Sequence, residues 1–232
     1  MSEKNTHEGH RSRLRKRYLD SGLDGFEDHE ILEMVLYNCY TRRNTNDIAH
    51  KLLDNFGSIS AVFEAPVDAL VGCGISESVA SYLHMIPDIC RVYFDDRNKS
   101  KSKIISMDSI GEYFINKYIG RCEECIYLLL LDSKCKEIFC GVVSKGTTIS
   151  SDVSMRKIVD LSMRYNATYA VISHNHPSGV AIPSREDVAM TFAVHNVLDS
   201  IGVQLVDHII VADDEYLSFR EESVCSVFEN GK

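Results

Sequence analysis

The spacing of apolar residues changes once along the chain. From His10 to about Tyr93 they return at three- and four-residue steps, the period of helices that bury one face. DHEILEMVLYNCY shows the pattern at Ile31, Leu32, Val35, Leu36 and Cys39, with Asp28 as a plausible cap. The next stretch, DIAHKLLDNF, has Asn44 or Thr45 in front of it and Gly57 behind it, where a left-handed terminal residue favours glycine. Pro66 suits the first turn of a short helix, VDALV. A short loop over residues 72–76 then separates two helical stretches.

DDRNKSKSK, residues 95–103, contains no apolar side chain and predicts a linker. Beyond it the period becomes mixed. SIGEYFINKYI, MRKIVDLSMRYN and SREDVAMTFAVHNVLDSIG predict helices. IYLLLLD and EIFCGVV predict buried strands joined by a turn near residues 133–136. GTTIS extends the sheet, TYAVIS and VQLVDHIIVA add strands, and EYLSFRE gives a short one. Strands interleaved with helices predict a mixed sheet covered by helices. The expected organisation is a helical domain over 1–94, a linker over 95–103 and an α/β domain over 104–232.

Composition narrows the function classes. The longest apolar run, 126–131, is far short of the eighteen or so residues of a membrane span. The polar N-terminus, MSEKNTHEGHRSRLRKR, lacks the apolar core of a signal peptide. A cytoplasmic protein with no membrane partner is the expectation, and the eight cysteines are then reduced thiols. Cys122-x-x-Cys125 with Cys135 and Cys140 lacks the spacing of a zinc ribbon, and Cys125 and Cys140 fall in apolar strands. A net charge of −9 repels nucleic acid. Arg11, Arg13, Arg15, Lys16 and Arg17 are a local exception, read first as a solvated helix face.

The chemistry concentrates in SHNHPSG, residues 173–179. Residues two apart in an extended chain share a face, so His174 and His176 converge at the end of the TYAVIS strand while Asn175 points away. Pro177 and Gly179 turn the chain, and Ser184 opens the next helix with Asp187 in its first turn. Two imidazoles, a carboxylate and a position open to water form a ligand set for catalytic zinc. Ser184-x-x-Asp187 by itself is equally a capping box.

His174-x-His176, seven residues from Pro177 to Pro183, then Ser184-x-x-Asp187 resembles the JAMM motif of JAB/MPN-type metalloproteases. HNHPSG…PSREDVAMT…DHIIV is similar to the RadC branch of that family, as are GHRSRLRKRYLDSG, DHEILEMVLYNC and LLDNFGS. The resemblance covers nearly the whole chain. It implies an all-helical N-terminal domain with a helix-hairpin-helix-like element, followed by a cytidine-deaminase-like JAB/MPN domain. It implies one Zn2+ held by His174, His176 and Asp187, with peptide or isopeptide hydrolysis as the activity. It also implies an upstream glutamate that hydrogen-bonds the reacting water. Glu124, just ahead of CIYLLLLD, matches that placement, with Glu123 as the alternative. Ser184 either stabilises the oxyanion, caps the helix, or both.

Two departures leave other functions open. The hairpin reads Gly74-Ile75-Ser76-Glu77, without the second glycine and with an acid where phosphate would sit. That weakens a DNA-associated, repair-type role through the N-terminal domain. Lys157 stands where many RadC-like sequences carry glutamate. That keeps open a metal-binding pseudo-enzyme used for protein interaction. His208 in VDHII either orients a metal ligand or, the favoured expectation, closes a polar bond in the core. Specificity is expected in the loop over 179–182. The sequence leaves the oligomeric state undetermined.

Overall fold

The computed structural model describes residues 4–99, 106, 109–146 and 155–228. The chain divides into two compact units, Met1–Ile89 and Cys90–Lys232. The first holds α1 (Lys4–Ser21), α2 (Asp28–Leu36), α3 (Thr45–Phe56), α4 (Ile59–Glu64) and α5 (Val67–Gly72). Helix α6 (Glu77–Lys99) runs from the first unit into the second. Residues 95–99 of the expected linker are therefore helical, because a polar run with no glycine or proline leaves the helix intact. Residues 100–103 lie outside the described residues.

Local signals account for the helix ends. Asn44 accepts from the Asn46 N–H at the start of α3, and Gly57 ends that helix at φ 87°. Glu27, not Asp28, is the cap of α2, and its N–H donates to the Glu30 carboxylate at 3.0 Å. Pro66 sits one residue ahead of the first turn of α5. Leu32, Leu36, Leu52, Leu70 and Leu83 fill the core of this unit. Glu33 is buried among them at 2% exposure. Its carboxylate meets His10, Tyr37 and Asn46, each at 3.1 Å, because an unpartnered buried charge would be costly.

The basic block lies on α1, and part of it serves packing. Arg11 donates to the carbonyls of Thr41 and Arg43 at 3.2 and 2.7 Å, and Arg17 pairs with Glu30. Arg11 and Arg15 also lie over the Tyr37 ring.

The second unit contains α7 (Ile110–Tyr118), β1 (Cys125–Leu131), β2 (Glu137–Lys145), α8 (Met155–Arg164), β3 (Tyr169–Asn175), α9 (Arg185–Asp199), β4 (Gln204–Ala212) and β5 (Glu215–Ser218). The strands form one mixed sheet in the order β2-β1-β3-β4-β5. Among the described strands only the β3–β4 pair is parallel. All seven residues of β1 are buried, which is why that strand reads as an unbroken apolar run. Its even positions, Ile126, Leu128 and Leu130, share a core with Ile158 of α8 and Val194 and Leu198 of α9. Its odd positions, Leu129 and Leu131, pack with Phe114 of α7, Val171 and Ile209. The sheet is thus covered by helices on both faces. The GTTIS extension falls on residues 147–150, outside the described residues.

None of the described helices is long and apolar enough to cross a membrane. Cys125 and Cys140 lie on β1 and β2, and burial pushes the Cys140 thiol up to about 12.

Candidate metal centre

Sheet register builds the site. Ile126 of β1 stands opposite His174 of β3, so Glu124, two residues earlier, falls on the same face as His174 and His176. The His176 N–H donates to the Val211 carbonyl at 2.8 Å, so the chain is still held against β4 at that point. This is the α9 face, and the first turn of α9 supplies Asp187.

Two sets of side chains share the histidine pair there, one through Glu124 and one through Asp187. One ligand atom each from Glu124, His174 and His176 lies within 4.8 Å of the others. The two imidazole Nε2 atoms are 2.9 Å apart. The Asp187 carboxylate is 3.1 Å from His174 Nε2 and 3.6 Å from His176 Nε2. Burial pushes the Asp187 carboxyl up, but hydrogen bonds that it accepts from His174 and His176 when their Nε2 atoms are protonated, and from Ser184, outweigh it and hold the group well below the usual carboxylate range in the metal-free protein. The hydrogen bond to Asp187 raises His176, against the opposing effect of burial.

His176 Nδ1 lies 2.9 Å from the Val180 carbonyl, which can only accept. The proton of a neutral His176 is therefore on Nδ1, leaving a lone pair on Nε2. That lone pair faces a second imidazole and an ionised carboxylate. A concentration of acceptor atoms of this kind suits a cation, and nitrogen with carboxylate oxygen suits zinc.

Each expected site residue has a definite place. Of the two neighbouring glutamates, Glu124 joins the cluster, while Glu123 is exposed. The Ser184 hydroxyl accepts from the Asp187 N–H at 3.1 Å and the Ser184 N–H donates to Asp187 Oδ2 at 2.8 Å, a reciprocal capping box, while the hydroxyl also donates to Oδ2 at 2.7 Å. Its hydrogen thus orients the carboxylate that faces the histidines. Lys157 Nζ donates to the carbonyls of Val142 and Val143 at 3.1 and 3.3 Å. Between the pairs Ile126–Ser144 and Tyr127–Val142 the register shifts, so Val143 has no partner on β1. The ammonium thus hydrogen-bonds both carbonyls beside this bulge.

Two features escape a linear inspection. Asn175 accepts from the Cys125 N–H at 2.8 Å and donates to the carbonyls of Arg121 and Glu123 at 3.2 and 3.1 Å. It points away from the metal face, as period two requires, and fastens the segment that carries Glu124. His208 is fully buried, and its Nε2 lies 2.8 Å from His174 Nδ1. The expected polar bond in the core is present, and one of its partners is one of the two converging histidines. Burial, then the neighbouring His174, holds the His208 imidazole well below its ordinary range, so it is neutral. The neighbouring Asp207 is structural. Its carboxylate accepts from the N–H groups of His208 and Arg220 and from the Ser218 hydroxyl, tying β4 to the end of β5.

Residues 104–224 match the sequence profile of the RadC-like JAB domain. The chain belongs to the RadC family. This RadC-family chain is 34% identical to a UPF0758 protein of Fusobacterium nucleatum subsp. nucleatum, across 97% of its own length and 100% of the relative's. A UPF0758 protein of Ruegeria pomeroyi is 31% identical over 92% of this chain and 96% of its own. A UPF0758 protein of Rhodobacter capsulatus is 30% identical over 91% and 99%. The RadC match includes β1, β3, α9 and β4, the elements that assemble the cluster.

Proposed function

We propose that this protein is a zinc-dependent peptidase or isopeptidase of the JAMM type, hydrolysing an amide bond with metal-activated water. The observation that most supports this is the pair of Nε2 atoms 2.9 Å apart beside the Asp187 carboxylate, with Glu124 in the same cluster. His174, His176 and Asp187 would hold one Zn2+ and leave a position for water. Zinc bound there supplies Lewis-acid polarisation of the scissile carbonyl and lowers the pKa of water towards ~7.

The protein's own groups do the remaining work. Glu124 takes the proton of the attacking water and returns it to the leaving amine nitrogen as the C–N bond breaks. Asp187, held ionised, offsets cationic charge in the cluster. Ser184 orients Asp187, and serves as an oxyanion donor only when its hydroxyl turns from that carboxylate. Substrate would run along a cavity of about 390 Å³ between the 179–182 loop and β5, bordered by Glu221 and Glu222. Val180 links that loop to His176.

The finer fold assignments belong to the same proposal: a cytidine-deaminase-like sheet domain, and a helix-hairpin-helix at α5–α6. As a phosphate site that hairpin is poorly equipped. Ser76 Oγ lies 3.4 Å from the Val79 N–H at the start of α6, and Glu77 adds negative charge there. A DNA-associated role is the weaker reading.

The deciding test is zinc content by mass spectrometry on wild type and His176→Ala, after dialysis against a weak chelator. Near-stoichiometric zinc in the wild type, lost in the folded variant, is expected. No metal in either would withdraw the peptidase and leave an interaction module.

A further inference from the structure

We infer that Thr191 and His208 are positioning residues that fix which nitrogen of His174 is free to bind metal. The inference rests on the metal reading above and adds residues to it.

The hydrogen bonds have a definite order. Thr191 stands one turn after Asp187 on α9, and its hydroxyl donates to the Asp187 backbone carbonyl at 2.7 Å. A hydroxyl has one hydrogen, so the 2.7 Å contact between Thr191 Oγ1 and His208 Nδ1 must then be a bond that the threonine accepts. That places the His208 proton on Nδ1. Neutral His208 consequently has a lone pair on Nε2, which accepts from His174 Nδ1 at 2.8 Å. With its proton on Nδ1, His174 presents a lone pair on Nε2, the atom 3.1 Å from Asp187 and 2.9 Å from His176 Nε2.

The chain runs from the helix that supplies one ligand, through its neighbour in the sheet, to another ligand. All members of the relay are buried: Thr191, His208 and His174 are each 0% exposed. At the far end His174 Nε2 faces the Asp187 carboxylate and the partly exposed His176, which favour a proton on Nε2 in the absence of metal and set the competing order. The opposite order would start from a Thr191 hydroxyl turned towards His208, and would put the His174 proton on Nε2, blocking coordination. The two orders make opposite predictions.

The first measurement needs no metal and no variant. Long-range 1H–15N correlation spectra of the chelator-treated wild type, at about pH 8, above the ordinary imidazole range, distinguish Nδ1–H from Nε2–H. His174 and His208 should both carry their proton on Nδ1. The second compares zinc affinity, by competition with a chromophoric chelator, in Thr191→Val and Thr191→Ser. Valine removes the acceptor, and zinc affinity should fall roughly 10- to 100-fold, as for other outer hydrogen bonds to metal-binding histidines. Serine should keep the affinity within about threefold of wild type, well inside that range. A His174 proton on Nε2, or a folded Thr191→Val with wild-type zinc affinity, overturns the relay. A wild type that binds no zinc removes the peptidase reading, while the spectra of the metal-free protein still decide the proton order.

Discussion

At the scale of single residues, the site is a set of atoms whose bonding leaves few choices of proton. The Val180 carbonyl assigns the proton of neutral His176, and a carboxylate held ionised faces both imidazoles. His208 contributes a pH dependence of its own. Its folded-state affinity for a proton is depressed from an ordinary value of 6.5, so the folded protein binds fewer protons than the unfolded chain as pH falls below 6.5. Stability from this group is full above that value and declines below it. The groups touching the ring are His174, Thr191 and the stacked Phe219; the Asp187 carboxylate opposes the shift from further away, and burial with His174 outweighs it. His208→Gln keeps an acceptor for His174 and a donor for Thr191 but cannot titrate. In metal-free protein, wild-type stability relative to this variant should fall by up to about 1.4 kcal/mol per pH unit below that point. Parallel denaturation midpoints for the two proteins from neutral to acid pH would refute the account.

At the scale of elements, one side chain joins two strand ends. Asn175 is the residue between the histidines, and its three bonds hold residues 121–125 at the entrance to β1. Glu124 owes its direction to that clamp and to register with β3. Asn175→Ala removes these bonds and leaves the Cys125 N–H without its partner. The loss should be about 2–3 kcal/mol, read from chemical denaturation. Zinc should still bind, since His174, His176 and Asp187 are untouched, while turnover of any substrate found should fall. A variant within about 0.5 kcal/mol of wild type, the range of ordinary surface substitutions, would remove the clamp from consideration. Lys157 illustrates the converse. Its ammonium hydrogen-bonds the Val142 and Val143 carbonyls beside the β-bulge, a local structural task on the strand rather than in the site.

At the scale of the whole molecule, charge decides more than motif. The net charge of −9 opposes a polyanion. In the N-terminal unit, Arg11 and Arg17 are already engaged with the carbonyls of Thr41 and Arg43 and with Glu30. No DNA affinity is therefore expected, even at low salt. Binding that weakens steeply with added salt, in a filter or anisotropy titration, would restore the DNA-associated role.

The sequence alone determined the layout. A switch from helical to mixed period marked two kinds of structure, and period two put His174 and His176 on one face. Capping chemistry brought Asp187 to the first turn of α9. These are local properties, readable because each depends on neighbours within a few residues. Only tertiary structure decided between Glu124 and Glu123, since the choice depends on register across β1 and β3 and on the grip of Asn175. Only tertiary structure brought His208 and Thr191 to His174, from positions 34 residues after it and 17 before His208. A parallel strand pair and a crossover helix set those distances, and no local pattern encodes either.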